Sequence, residues 1–329
     1  MKSVRQRPLG STGINVSEIG LGCWGIGGPM RRDGTVSGYG QVKDSESIAM
    51  LTQAFENGIN FVDTAPWYGA GHSERLVGEA LRGRRDQIIV SSKVGIYLEN
   101  EQYTSDYSGD YIMAHYQDSL ERLGTDYIDL YVLHSPSAEL YQQSGLEALK
   151  ELKRKGVIRA LGISFPASHE ESERFFLPIC EDERIEIVQL RFNLMSWLPR
   201  RSILSKLQSL GIGVICREAF YFGYLTGRFT RETVFDPTSD VRSTWPRERH
   251  LDLVGTSEKF GFLASELKCS TSQAALGYCL TPNGVSTVIP GAMTVEEMND
   301  NLGASSLEFQ AAQVEQIERI QEQQLGEKL

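Results

Sequence analysis

The chain has 329 residues, 40% of them hydrophobic and 23% charged, with a formal net charge of -10; this is the composition of a globular protein able to bury a substantial core. An acidic balance with no Lys/Arg stripe argues against nucleic acid as a partner, because binding phosphates relies on clustered cations. No run of eighteen apolar residues occurs, and the N-terminal MKSVRQRPLG lacks an apolar core; no membrane span or signal peptide is therefore expected, and the protein reads as cytoplasmic. In chain order, RPLGSTGINVSEI predicts an N-terminal β-hairpin. Short apolar, β-branched runs then recur about eight times, at 18–22, 60–65, 88–94, 128–134, 158–164, 185–192, 212–217 and 285–291, alternating with segments of helical period. In DSESIAMLTQAFENG, Ile48, Leu51 and Phe55 share one face, Asp44 is expected to cap the start and Gly58 to end the helix. GDYIMAHYQDSLERLG repeats the design with Ile112, Tyr116, Leu120 and Leu123, ending at Gly124, and GLEALKELKRKG does so again before Gly156. A long loop is expected over 219–255 and a closing helix over 310–323.

Eight βα units over about 250 residues are the size of a closed barrel. The expected fold is therefore α/β: a (β/α)8 TIM barrel with an N-terminal β-hairpin and an additional C-terminal helix, one domain over 1–329. The local basic runs, RRDG at Arg31 and RGRR at 82–85, read as solvated loops. Five cysteines, Cys23, Cys180, Cys216, Cys269 and Cys279, contain no C-x-x-C pair, and the five histidines no H-x-x-x-H pair; neither disulfides nor a metal site is expected.

In such a barrel, chemistry gathers at the C-terminal ends of the strands. Asp63 closes the second predicted strand, Lys93 the third, His134 the fourth and Ser164 the fifth; Gln189 lies within the sixth and Arg217 ends the seventh. Taken singly, Asp63 reads as a turn cap, Lys93 as a side chain reaching solvent, His134 as a hydrogen-bonded core residue and Tyr68 as packing. Together they converge on one mouth. A phenol with pKa about 10 must be lowered by about three units, or about 4 kcal/mol, to work at neutral pH, and an ammonium about 4 Å away supplies roughly that at an effective dielectric of 20. Lys93 is thus expected to activate Tyr68, with Asp63 holding Lys93 charged, His134 orienting a carbonyl oxygen, and Tyr68 giving that oxygen a proton as hydride reaches carbon. Trp24, Trp67, Phe165, Phe220 and Tyr221, at or just past strand ends, are the candidate walls for a small carbonyl or sugar substrate.

At these residues the sequence strongly resembles the aldo-keto reductase superfamily, through GLGCWGIG, FVDTAPWYG with SERLVGEAL, SSKVG, SLERLGTDYIDLYVLHSP, GVIRALGIS, LTGR, and VIPGA with NLGA. The resemblance covers nearly the whole chain and implies a (β/α)8 barrel that moves hydride between a nicotinamide dinucleotide and an aldehyde, ketone or sugar. It implies that Asp63, Tyr68, Lys93 and His134 are the catalytic tetrad. By the same resemblance Ser164 and Gln189 would hold the nicotinamide carboxamide; Gly223, Leu225 and Arg228 would wrap the pyrophosphate; and Gly291, Ala292 and Asn301 would hold the adenosine half. Phe165 stands where most relatives have Asn, and Arg217 where many have the aromatic residue that stacks on nicotinamide, a place a planar guanidinium can also fill. The resemblance implies NADP, whereas Met293 and Glu297, where relatives often carry a phosphate-binding side chain, imply that NAD is accepted. Some members of the superfamily resemble potassium-channel subunits that bind cofactor to regulate a partner; an intact tetrad favours an enzyme. Gly20, Gly22 and Gly25 spell G-x-G-x-x-G, but a loop rather than a helix is expected after them, so a Rossmann dehydrogenase is not.

Overall fold

The computed structural model describes residues 4–99 and 101–326. Eight parallel strands, Leu21–Gly22, Phe61–Asp63, Ile89–Val94, Ile128–His134, Ile158–Ser164, Ile187–Arg191, Gly213–Arg217 and Val285–Val288, pair in sequential order. Bridges from Ile19 to Val288 and from Gly22 to Gly291 bring the eighth against the first, so the sheet is a nearly closed barrel. The eighth strand stops short of the predicted 291 because Pro290 has no N–H to donate; its carbonyl instead accepts from the Gly22 N–H at 2.9 Å.

The hairpin of Gln6–Pro8 and Asn15–Ser17 closes the N-terminal end of the barrel. Leu9, Ile14 and Val16 join Phe61, Ile89, Leu130, Ala160, Ile187, Ile215 and Ile289, one residue from each of seven strands or strand ends, in a single buried apolar cluster. Leu9 fits because residue 213 is glycine: a Cβ there would sit 2.8 Å from the Leu9 side chain. With the bottom plugged, only the C-terminal mouth is open for chemistry.

The outer helices follow the predicted faces. Gly109–Leu123 buries Ile112, Leu120 and Leu123, is capped by the Ser108 hydroxyl and ends at Gly124. Asp44 is not a cap: it is the first residue of Asp44–Glu56, after Lys43, and its carboxylate pairs with His72 at 3.1 Å. Gln143–Arg154 supplies the next helix of the ring.

Three predicted loops carry more structure than their sequences announce. GIGGPMRRDGTVSGYG contains a hairpin, Met30–Arg32 with Thr35–Ser37, turning on Asp33 and Gly34 at φ 48° and 77°, the Asp-Gly turn that suits the twist of two strands. A second hairpin, Ile96–Glu99 with Gln102–Ser105, docks against it through the Asp33 carboxylate, which accepts from the Tyr103 N–H at 3.0 Å. In the 82–85 run, Arg85 is not simply solvated: it pairs with buried Asp129 at 2.8 Å and covers the Tyr127 ring at 3.8 Å. The stretch 219–255 is not one loop, since it holds short 3-10 turns at Tyr224–Thr226 and Val241–Thr244 and the start of helix Arg247–Glu258. Tyr224, Phe229, Phe235, Trp245 and His250 pack together inside it, and His250 is bonded to the Tyr224 hydroxyl and the Thr230 carbonyl, each at 2.9 Å. The chain closes with helix Ala311–Gly326. Among the described residues no helix is long and apolar enough to cross a membrane.

Candidate active site

The strand ends place Asp63, Lys93 and His134 around one cavity of about 690 Å³, with Tyr68 on the turn after the second strand. That turn is held by two glycines set back to back. A Cβ on Gly69 would lie 2.1 Å from the Gly27 carbonyl oxygen, and one on Gly27 would lie 2.9 Å from the Gly69 nitrogen. Any side chain at either position would push the Tyr68 turn off the Trp24–Gly27 turn. Ser73 reinforces the junction, its hydroxyl donating to the Cys23 carbonyl at 2.8 Å and contacting Thr64 Oγ1 at 2.9 Å.

Lys93 is buried, and all three of its protons have acceptors: Asp63 Oδ2 at 2.5 Å, the Thr64 carbonyl at 2.9 Å and the Tyr68 hydroxyl oxygen at 3.0 Å. Burial alone would lower the Lys93 pKa, but Asp63 and Tyr68 outweigh it and leave the pKa raised, so the side chain is an ammonium. Asp63 is held from behind by Ser91 Oγ at 2.9 Å and by the Gln189 amide. The Tyr68 phenol differs from the sequence expectation: burial raises its pKa by more than Lys93 lowers it, so the phenol is protonated at neutral pH. The low dielectric that strengthens the Lys93 attraction also penalises the phenolate. His134 is neutral, its pKa driven well below the ordinary value by burial and then by the Lys93 and Arg217 charges. Its ring stands edge-on to Tyr68, centroids 5.9 Å apart.

Of the other expected residues, Arg217, Gly223, Arg228, Gly291, Ala292, Glu297 and Asn301 line the same cavity, as do Trp24, Trp67 and Phe220. Five do not. Ser164 and Gln189 are fully buried behind the wall, and Gln189 donates to Asp63 and, at 3.2 Å, to Ser91. Leu225 is buried in the core; Phe165 packs against Phe176, centroids 5.8 Å apart; Tyr221 turns towards Arg191 while its neighbour Phe222 faces the cavity. Glu297 neither stands free nor points simply to solvent. One oxygen pairs with Arg228 and the other accepts from the Met293 N–H at 2.9 Å, in the first turn of helix Val295–Leu302.

Sequence reasoning missed Tyr39, Ser135 and Arg242, all in the lining. Tyr39 packs edge-on against Trp24 at 4.6 Å and lies under Arg242, whose guanidinium is 4.9 Å from the ring. Its loop is stitched to the one after the seventh strand: the Gly40 N–H donates to the Ser239 carbonyl and the Val241 N–H to the Gly38 carbonyl, each at 3.0 Å. The Gly-Tyr-Gly triplet at 38–40 was the available signal. Ser135 follows His134 directly, but nothing in its sequence context marks it.

A cleft that runs from a buried carboxylate, ammonium and phenol to a glycine-lined rim beside a helix N-terminus suits a dinucleotide with its reactive ring at the strand ends. At Gly291 the nearest atom to an added Cβ is the Gly22 carbonyl oxygen, 3.8 Å away, so the bare backbone leaves open room on that rim. The chain belongs to the aldo/keto reductase family, whose family model matches residues 18–322; its members are NAD(P)-dependent oxidoreductases. It is 35% identical over 247 residues to the aldo-keto reductase YhdN of Bacillus subtilis (strain 168), covering 73% of this chain and 69% of that protein. It is 30% identical over 324 residues to an NADH-specific methylglyoxal reductase of Escherichia coli (strain K12), covering 94% and 96%. Among solved structures it is similar to the glycerol dehydrogenase AKR11B4 from Gluconobacter oxydans, with TM-score 0.80, 26% identity and coverage of 97% and 95%. It is also similar to the holo form of the aldo-keto reductase AKR11C1 from Bacillus halodurans, with TM-score 0.79, 28% identity and 96% of each chain covered.

Proposed function

We propose that this chain reduces a small carbonyl compound, an aldehyde, ketone or sugar, and runs the reverse oxidation of the alcohol, with Tyr68 as the proton donor and acceptor. The observation that carries this reading is the Lys93 ammonium bonded at once to Asp63, the Thr64 carbonyl and the Tyr68 phenol at the floor of the cavity. The dinucleotide, when bound, supplies or accepts the hydride. Arg217, Gly223, Arg228, Gly291, Ala292, Glu297 and Asn301 are the residues that would hold it along the cleft.

Tyr68 O–H donates to the substrate oxygen, and neutral His134 donates a second hydrogen bond that fixes the carbonyl beside the phenol. As the proton leaves Tyr68, negative charge grows 3.0 Å from the Lys93 ammonium, which is already in place and needs no reorganisation. Trp24, Tyr39, Trp67 and Phe222 exclude water from that proton. A small substrate carrying oxygen is supported by the names of two similar proteins, a methylglyoxal reductase and a glycerol dehydrogenase.

For the dinucleotide we propose weak discrimination, with NAD accepted well. Glu297 would repel a 2′-phosphate, but its pairing with Arg228 offsets that charge, and Arg228 is the cation a 2′-phosphate would recruit instead. The mechanism is tested with Tyr68→Phe, which keeps the ring and removes the proton. Turnover should fall by at least about a hundredfold while NAD(P)H binding, followed by fluorescence, is kept. A folded variant with unchanged turnover overturns the mechanism.

A further inference from the structure

Resting on the reading that a nicotinamide dinucleotide fills this cleft, we propose that Arg191, Glu218 and Arg217 act as one charged triad that makes the cleft prefer the reduced, neutral nicotinamide over the oxidised, cationic one. Arg191 and Arg217 end the sixth and seventh strands and stand in register as neighbours, two like charges that repel. Glu218 joins them. One of its oxygens pairs with Arg217 and the other with Arg191 Nε at 2.6 Å. The backbone holds the arrangement on both sides: the Asn193 side-chain amide donates to the Glu218 carbonyl at 2.8 Å, and Arg217 Nη2 donates to the Phe165 carbonyl at 2.8 Å. Glu218 itself sits at φ 55°. This left-handed conformation is disfavoured for an L-residue, and such strain gathers at sites where a group must be aimed.

The balance of charge around the cavity sets this triad apart. Lys93 is matched by Asp63, Arg228 by Glu297 and Arg242 by Asp240, and His134 is neutral. Glu218 instead serves two guanidiniums, so the triad keeps one net positive charge. Arg217 and Glu218 line the cavity, and Arg191 stands behind them beside Tyr221 and Phe222. The lining acids Glu296 and Asp300 belong to helix Val295–Leu302 at the rim. The Arg217 charge reaches the reacting groups, since it acts to lower the pKa of both Tyr68 and His134. A ring placed so that hydride reaches a carbon whose oxygen touches Tyr68 lies in the same field. Both redox forms carry the same phosphates, so the triad tells them apart only through the ring, which is cationic when oxidised and neutral when reduced. A wall of this sign loads the cleft with reduced dinucleotide and releases the oxidised form, which suits carbonyl reduction.

The test is direct binding, by calorimetry, of NADH and NAD+, of NADPH and NADP+, and of ADP-ribose to wild type, Glu218→Gln, Arg191→Gln and the double variant. The quantity read is the Kd of the oxidised form divided by that of the reduced form, which should exceed one in the wild type. Glu218→Gln leaves two unmatched cations, so the ratio should rise by at least about tenfold, the effect of one unit charge about 12 Å away at an effective dielectric of 20. Arg191→Gln changes a side chain outside the cavity lining and should lower the ratio by at least about threefold. The double variant keeps one net positive charge and should return to within about twofold of wild type. Lost packing cannot imitate this pattern, because it weakens both redox forms together. ADP-ribose, which has the phosphates and no ring, should follow the reduced form in every protein. A wild-type ratio of one or less, or single variants whose ratios stay unchanged or move in the same direction, would overturn the role of the triad and leave the cofactor reading in place. Failure of the wild type to bind any of the dinucleotides would overturn the cofactor reading itself.

Discussion

Replacing Lys93 with Met keeps the stem of the side chain and removes the charge shared by Asp63, Thr64 and Tyr68. At 3.0 Å from the phenol oxygen, the ammonium is worth about 5.5 kcal/mol to a full phenolate at an effective dielectric of 20. With the proton about half transferred in the transition state, about half of that is lost, or roughly a hundredfold in kcat. The same change leaves the buried Asp63 carboxylate without its cation, a loss of about 3 to 5 kcal/mol in stability. The hydrogen bonds from Ser91 and Gln189 hold it towards the lower end. For 329 residues, an unfolding entropy of about 2.1 cal/mol/K per residue turns that into a fall in Tm of about 4 to 7 °C. Single-turnover oxidation of NAD(P)H, with calorimetry on the same preparation, separates the two effects. A folded Lys93→Met protein that keeps more than about a third of the wild-type rate would refute the Coulombic role of the ammonium. The pH profile carries the sign: because burial keeps the phenol pKa above its ordinary value, carbonyl reduction should stay level up to about pH 10. Alcohol oxidation, which needs the phenolate, should climb with pH, and in Lys93→Met that climb should move to still higher pH.

Two further outcomes are expected. His134 has a folded-state pKa well below its unfolded value, so its contribution to stability is complete above about pH 6.5 and is lost as the pH falls below it; in urea titrations across this range His134→Gln should show a shallower acid limb than wild type, and identical limbs would contradict the buried neutral imidazole. Glu297→Arg replaces the partner of Arg228 with a second cation, and kcat/KM for NADPH relative to NADH should rise by at least tenfold; a wild type that already favours NADPH by more than about a hundredfold, roughly 2.7 kcal/mol, would show that Glu297 does not discriminate.

The barrel was legible because strand ends in this fold are a small and regular set of positions. Ile128–His134 and Ile158–Ser164 lie where their apolar runs begin and end, since each strand is buried between a helix and the barrel interior. The site was legible to the extent that its residues close strands: Asp63, Lys93 and His134 meet at one cavity, whereas Ser164, which also closes its strand, is buried outside the lining. What stayed hidden depends on direction rather than residue type. Phe165 and Tyr221 carry the rings expected of a pocket wall, yet one turns inward to Phe176 and the other towards Arg191. Tyr39 and Ser135 reach the cavity through loop conformations fixed by distant partners, Ser239 and Phe165, that no local pattern encodes. The raised Tyr68 pKa was missed for a related reason, because a charge can be placed from sequence whereas the depth of burial opposing it cannot.

The stitching of Gly38–Gly40 to Ser239–Val241 makes the mouth of this barrel an inseparable pair of loops. One loop follows the first strand and the other the seventh, and they share two backbone hydrogen bonds, the Tyr39 ring and the Arg242 guanidinium that lies over it. Grafting either loop alone from a relative would bring in a segment without its complement, unpairing backbone groups over the site and freeing Tyr39 from Arg242. The exchangeable part is therefore the two segments together, and chimeras intended to carry a substrate range from one barrel to another should cut on the far side of both.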